Sequence, residues 1–225
     1  MEFVYVVPRE RLFPEFYPQG LQLFGPELAE DQFNRAVEEF GFFVERDYAE
    51  RTPSLKQVIP YAVVVCNGKV LLLKRLSSGG EARLHGKLSI GVGGHINPVD
   101  RADQSDQPDQ YGEGDNKIPE DLLAAGSYRE LNEELWIKGS IDVSRFGVIN
   151  DDSNPVGAVH VGVLQVVSVE GSVEIRELDQ LEGQWMTPDE LQQLAEGDHN
   201  IETWSRMVLA SLNQILPEPI TASSV

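Results

Sequence analysis

Three glutamates in one short segment have a spacing that brings carboxylates together on a helix. Glu130, Glu133 and Glu134 occupy positions i, i+3 and i+4, which share one face of an α-helix. Three neighbouring negative charges repel one another, and a divalent cation among them removes that repulsion. Mg²⁺ prefers oxygen ligands in near-octahedral geometry. The spacing predicts a metal site, and a solvated helix face is the alternative because glutamate-rich helices are common.

The residues around these glutamates favour the metal site. Arg129 directly precedes the first of them and is expected to hold one carboxylate in its orientation. Leu131 and Leu135 point elsewhere on the helix and are expected to anchor it to the core. A glycine-rich segment, Gly91 to Gly94, lies between a predicted strand and this helix.

Together these residues resemble the signature of the Nudix hydrolase family. That signature runs Gly-x5-Glu-x7-Arg-Glu-(apolar)-x-Glu-Glu-x-Gly-(apolar). Its second half is matched by Arg129, Glu130, Leu131, Glu133, Glu134 and Ile137. The strand and hairpin from Tyr61 to Arg75 and the segment from Glu182 to Leu191 also look like this family. The resemblance covers residues 57 to about 216 and leaves out the first fifty or so.

Two features depart from the signature. Counting forward from Gly94 places the first acidic residue at Asp100, whereas counting back from Arg129 places it at Asp121. A loop inserted at about residues 100–120 accounts for the difference, and closure entropy grows only slowly with loop length. Glu120 is a third candidate, and we expect Asp121 because the helix holds it near the other acids. Trp136 stands where the family has glycine, so we expect Gly139 to help end the helix.

The resemblance implies an α/β fold, a Nudix-type α/β/α sandwich with a mixed central sheet. It also implies water attack on the diphosphate of a nucleoside diphosphate-X substrate, with Mg²⁺, or Mn²⁺ in its place. Glu133 and Glu134 are the expected principal ligands, and a carbonyl at Gly93–Gly94 is a further one. Glu130 is expected to be a ligand or the base that holds the attacking water. The base varies within the family, and other candidates for it are Glu182, Asp151 and Asp152.

Other side chains have expected contacts with the substrate. Arg75 and Lys87 flank the predicted cleft and are candidates to bind phosphates, although ordinary surface charge is as good an interpretation of either. Gly94 and His95 are expected near the phosphates, because they form the glycine turn and its exit. His160 lies in a strand of small and apolar residues and is expected to be structural.

Aromatic residues offer a further contact. Trp136, Trp185 and Trp204 are expected to pack in the core. A base-stacking role for one of them, or for Tyr61, is the alternative.

The elements that position these residues are predicted from hydrophobic periodicity. Strands are expected at residues 59–66 and 70–75, joined by an Asn67-Gly68 turn, and then at 143–149, 156–169 and 173–175. Helices are expected at residues 120–135, from 187, and at 201–216. Strands interleaved with helices are typical of a layered α/β domain.

Residues 1–55 are predicted to be an N-terminal extension to a hydrolase domain at residues 56–225. The extension has a short strand at residues 3–7 and a helix at residues 31–43, and it is rich in phenylalanine. We expect it to cover apolar surface on the hydrolase domain or on a second subunit, in which case the chain is a homodimer.

Charge and composition narrow the classes of partner and compartment. The formal charge of −19, from 37 acidic against 18 basic residues, disfavours binding to nucleic acid. Apolar runs are too short to cross a membrane, and the N-terminus does not resemble a secretory signal. Cys66 is the single cysteine, so no internal disulfide forms. A cytoplasmic location is expected.

Two other functions compete with hydrolysis. A Nudix-like domain that senses a nucleotide without cutting it is the first, although all three glutamates are present. An isomerase of prenyl diphosphates is the second, and it is expected to need a reactive cysteine, for which Cys66 within a strand is a poor candidate.

Overall fold

The computed structural model describes residues 1–76, 86–101 and 121–216. Candidate Glu120 and residues 102–120 of the predicted insertion lie outside the described residues. Among the described helices, none is long and apolar enough to cross a membrane.

Ten strands of the described residues form one mixed sheet. Its main path runs β10-β5-β4-β9-β8-β2, with β4 and β9 parallel at its centre. The strands are β1 (Phe3–Pro8), β2 (Gly20–Leu23), β3 (Phe42–Glu45), β4 (Leu55–Cys66), β5 (Lys69–Arg75), β6 (Leu88–Ser89), β7 (Gly91–Val92), β8 (Leu135–Asn150), β9 (His160–Ile175) and β10 (Leu181–Met186). The prediction of an α/β fold with a mixed central sheet is confirmed.

Helices cover both faces of this sheet. They are α1 (Arg9–Leu12), α2 (Glu30–Phe40), α3 (Arg46–Ala49), α4 (Leu122–Glu134), α5 (Pro188–Glu196), α6 (Thr203–Leu209) and α7 (Leu212–Ile215). Side chains alternate along β4, so Ala62 and Val64 share a core with Leu131 of α4, whereas Tyr61 and Val63 face the C-terminal helices. The helix predicted at residues 201–216 is divided in two at Ser211, whose backbone leaves the helical region with ψ of 16°.

The predicted hairpin between β4 and β5 is confirmed. Asn67 and Gly68 have φ of 51° and 72°, the left-handed values that a two-residue turn between strands requires. Val65 pairs with Val70 across it. All residues of β4 are buried, because paired strands flank it and helices cover both faces of the sheet.

The N-terminal region joins the same sheet and does not stand apart from it. Strand β1 pairs with β4, and β2 pairs with β8. Phe33 of α2 lies in a core with Val58 and Val161 of the central strands. Residues 1–55 thus pack on residues 56–225, which is the first of the two expected arrangements.

Two predictions about helix ends are wrong. The helix predicted at residues 31–43 ends at Phe40, because Phe42–Glu45 pair with β1 as strand β3. Helix α4 ends at Glu134, because Leu135 already has an extended backbone with φ of −130° and begins β8. Gly139 does not help to end that helix. With φ of 121°, it faces Gly171 across the long β8–β9 pair.

Candidate active site

A cleft of about 800 Å³ opens beside the glycine-rich segment and one face of α4. Most of the predicted site residues line it: Gly93, Gly94, His95, Glu130, Glu134, Arg75 and Lys87. The described side chains around the rest of the cleft include Tyr61, Ser89, Asp151, His160, Glu202 and Trp204.

Helix α4 is held closely against the loop that follows the glycine segment. Asp121 caps the helix, accepting a hydrogen bond of 2.8 Å from the Ala124 backbone N–H. Leu123 and Leu131 are buried. A β-carbon at Gly126 would lie 2.9 Å from Cγ1 of Ile96. The glycine that weakens the helix by propensity therefore permits its close approach to this loop.

The glycine turn has room for the first glutamate only because it lacks side chains. A β-carbon on Gly94 would overlap the Glu130 carboxylate, and one on Gly93 would overlap the Pro60 carbonyl. Burial raises the pKa of Glu130, although the neighbouring Arg129 acts to lower it. The structure thus places this carboxylate directly against the glycine turn.

Arg129 ties that turn to the helix. Its guanidinium donates to Oε1 of Glu130 at 2.7 Å, to Oε1 of Glu133 at 3.1 Å and to the His95 carbonyl at 2.7 Å. It also donates to both carboxylate oxygens of Asp100, at 2.8 and 3.1 Å. Burial acts to lower the pKa of Arg129, but Asp100 and Glu130 outweigh it and raise that pKa. The arginine is therefore a permanent cation that orients two of the three glutamates.

Glu134 is the most buried of the three glutamates, with 8% of its side chain exposed. Its Oε1 accepts a hydrogen bond of 3.1 Å from Arg75, whereas its buried Oε2 has no hydrogen-bond partner among the described residues. Burial raises the pKa of Glu134 to about 7; Arg75 acts against this shift, and the charge of Glu130 adds to it. A buried carboxylate oxygen without a donor fits a metal ligand, because a bound cation would replace the missing partner.

Glu133 differs from its neighbours. Its side chain is 53% exposed, and it lies outside the set of residues that line the cleft. Among the described residues, Glu50, His95 and His160 form the one group of three acidic or histidine side chains whose ligand atoms all lie within 4.8 Å of one another. The three glutamates of α4 do not form such a group. The helix places the three glutamates on one face, but they differ in how deeply their side chains are buried.

Asp100 and Asp121 have different partners. Both oxygens of Asp121 accept from Arg145 at 2.7 Å, while the same side chain caps α4. Asp100 instead binds Arg129 and accepts from the Asn97 backbone N–H at 2.8 Å. Asp100 is therefore the one of the two that contacts Arg129 of the Arg-Glu motif, and the role expected of Asp121 stays a prediction.

The other base candidates are separated by the fold. Asp151 lines the cleft. Asp152 accepts from the buried Lys56 at 2.6 Å, and Glu182 lies on an exposed part of β10 near Lys74. Cys66 is buried within the sheet and lies outside the set of residues that line the cleft.

One carboxylate of the cleft has no counterpart in the sequence-based prediction. Oε2 of Glu202 accepts from the hydroxyls of Tyr61 at 3.1 Å and Ser205 at 2.9 Å. Trp204 packs edge-on against Tyr61, with ring centroids 5.7 Å apart. Tyr61 and Glu202 are 141 residues apart, so no local pattern indicates their contact.

The tryptophans have different environments. Trp136, expected in the core, is 52% exposed beneath the Arg176 guanidinium, so that expectation is wrong. Trp185 packs against the core shared with α4, and Trp204 packs between the core and the cleft. An aromatic surface is therefore present beside the candidate site.

Two known proteins are similar to this chain over most of its length. No protein-family profile matches the chain. Protein YmaB of Bacillus subtilis (strain 168) is 36% identical over 216 residues, which are 92% of this chain and 96% of that protein. The crystal structure of Tm1382, a proposed Nudix hydrolase, is 28% identical with a TM-score of 0.70, covering 95% of this chain and 99% of that one.

Proposed function

Because this chain belongs to the Nudix hydrolase family and is a Nudix-type phosphohydrolase, we propose that it hydrolyses the diphosphate linkage of a nucleoside diphosphate-X substrate with Mg²⁺. Mn²⁺ is expected to substitute for it. The observation that carries this proposal is the buried Oε2 of Glu134, which lacks a hydrogen-bond partner within residues 1–76, 86–101 and 121–216 and lies beside Arg75 and Glu130.

Glu130, Glu133 and Glu134 would hold the ion, with a backbone carbonyl at Gly93 as a further ligand. When bound, Mg²⁺ neutralises charge on the phosphoryl oxygens and lowers the pKa of a bound water. Glu133 is 53% exposed and accepts a hydrogen bond from Arg129, and its exposed carboxylate would be accessible to the ion.

The chain's own residues perform the remaining tasks. Glu130 accepts the proton of the attacking water, whose oxygen bonds to phosphorus as the anhydride P–O bond breaks. Arg129 keeps Glu130 against the Gly94 turn. Arg75 and Lys87 lie on the cleft wall and neutralise the phosphates of substrate and leaving group.

Aromatic residues of the cleft support a nucleoside as one part of the substrate. Tyr61 and Trp204 are in contact beside the cleft, and an aromatic side chain can stack on any of the nucleobases. The −19 charge of the chain favours a small substrate whose phosphates are bridged by cations over a nucleic-acid polymer.

The test is phosphate or nucleotide release from a panel of nucleoside diphosphate-X compounds with Mg²⁺. We expect turnover by the wild-type chain, and a loss for Glu134→Gln greater than the roughly 10–100-fold typical of a residue that only orients a ligand. Glu39→Gln is the matched control, because Glu39 is exposed on α2. Equal activity in both variants would contradict the proposal, and tight binding without turnover across the panel would favour a nucleotide sensor.

A further inference from the structure

We propose that Glu50, His95 and His160 form a second metal site, selective for a transition-metal ion of the Zn²⁺ type. One ligand atom from each lies within 4.8 Å of the other two. This site is chemically distinct from the glutamates of α4, because two of its three ligands are imidazoles.

The separation of the two imidazoles matches two ligands of one ion. Nε2 of His95 lies 3.3 Å from Nε2 of His160. Two nitrogens bound at the usual zinc distance in a tetrahedral site are about 3.3 Å apart. That value is long for a direct hydrogen bond between nitrogens.

The backbone orients His160 as a metal ligand. Its Nδ1 lies 2.7 Å from the Val156 carbonyl. A carbonyl only accepts, so Nδ1 carries the hydrogen and the lone pair of the neutral ring is on Nε2, which is the atom facing His95. A metal-binding histidine usually donates its other nitrogen in this way. Only 4% of His160 is exposed, so the ring has little freedom to turn.

Three separate elements deliver the ligands. Glu50 directly follows α3, and its backbone N–H donates to the Arg46 carbonyl at 2.9 Å. His95 leaves the glycine turn, with its carbonyl bound to Arg129, and His160 begins β9 beside β4. The N-terminal region therefore supplies one ligand, and an ion here would join it to the cleft wall.

The ligand set favours a different ion from that of α4. Imidazole nitrogen suits Zn²⁺ and related ions, whereas Mg²⁺ binds carboxylates and water. Glu50 is exposed, and its Oε1 lies 3.5 Å from Nε of Arg46, which can hold the carboxylate in place. Three protein ligands leave a fourth position for water or for a phosphate oxygen, because both imidazoles line the cleft.

The test uses Co²⁺ alone as a spectroscopic probe, titrated into the full chain with Mg²⁺ in excess. We expect one tightly bound Co²⁺ with the visible absorption of a tetrahedral or five-coordinate ion. His160→Ala should abolish this signal, and Glu50→Gln should weaken binding about tenfold or more. Circular dichroism checks the fold of each variant, and the exposed Glu50 allows a variant that leaves the core intact.

Two controls separate this site from the others. His199→Ala, which changes an exposed histidine, should leave the Co²⁺ signal unchanged. Glu134→Gln should also leave it unchanged even if hydrolysis fails, so this result does not depend on the proposed function. Absence of Co²⁺ binding, its persistence in His160→Ala, or its loss in Glu134→Gln would overturn the proposal and make the two imidazoles a hydrogen-bonded structural pair.

Discussion

The environment of each glutamate, more than its presence, determines what it contributes to the site. Glu134 is buried, with one oxygen that has no hydrogen-bond partner in the part of the chain that the structure describes. Glu130 lies against Gly94, and Glu133 is half exposed. Burial without a cation favours the protonated carboxyl. Of the three glutamates, Glu134 is therefore the one whose ionised form depends most on a nearby cation.

The raised pKa of Glu134 predicts how pH affects the stability of the chain in the absence of metal. The pKa of Glu134 rises from 4.5 to about 7 on folding, so the folded chain holds this proton more tightly than the unfolded chain does. The resulting contribution to the free energy of unfolding is complete below pH 4.5 and is lost as pH rises through 7. The shift corresponds to up to about 3 kcal/mol in the free energy of unfolding.

Denaturant unfolding in a chelator, from pH 5 to 8, checks this expectation. The wild-type free energy of unfolding should fall with pH relative to that of Glu134→Gln, which cannot ionise. Mg²⁺ should reverse the trend, because the ion binds the ionised carboxylate. Parallel pH profiles for the two chains would contradict the assigned role of burial.

At the scale of elements, a helix and a loop are joined through one arginine. Arg129 on α4 binds Asp100, the His95 carbonyl and two glutamates. Asp121, at the start of the same helix, binds Arg145 and the helix N-terminus. The two aspartates that the signature spacing leaves equivalent thus have different tasks.

Substitution of each aspartate should separate these tasks. Asp100→Asn removes the charge of one of the three carboxylates that Arg129 contacts, and we expect Mg²⁺ affinity or turnover to fall about 10–100-fold. Asp121→Ala removes the helix cap, and we expect a loss of about 1 kcal/mol in stability with turnover little changed. Steady-state kinetics against Mg²⁺ concentration measure affinity and turnover, and chemical denaturation measures stability. A loss of turnover in Asp121→Ala with little change in Asp100→Asn would instead favour Asp121 as the counterpart of the family's first acidic residue.

At the scale of the whole molecule, the N-terminal region is part of the sheet and the core. Phe33 of α2 is 1% exposed and packs on Phe13 and Phe24. Strands β1 and β2 are hydrogen-bonded to β4 and β8. A region joined by both backbone and core is expected to unfold together with the rest.

Phe33→Ala should therefore destabilise the whole chain by about 3–5 kcal/mol. Calorimetry should show a single transition moved to lower temperature. Phe16→Ala is the control, because Phe16 is 44% exposed, and it should change stability by less than about 0.5 kcal/mol. A separate early transition in Phe33→Ala would instead indicate an independent N-terminal unit.

Local patterns were sufficient to predict much of the site. The spacing of Glu130, Glu133 and Glu134 predicts a shared helix face, since α-helix geometry depends only on neighbours along the chain. Asn67-Gly68 likewise predicts its turn, because the left-handed conformation is a property of those residues. Such features are determined by the sequence itself.

Other features were decided only by tertiary structure. His95 and His160 are 65 residues apart, and Tyr61 and Glu202 are 141 apart, so their contacts arise where strands and loops meet. The choice between Asp100 and Asp121 depends on which one reaches Arg129. The unequal burial of the three glutamates, and hence the raised pKa of Glu134, depends on what packs around the helix, which spacing along the chain does not encode.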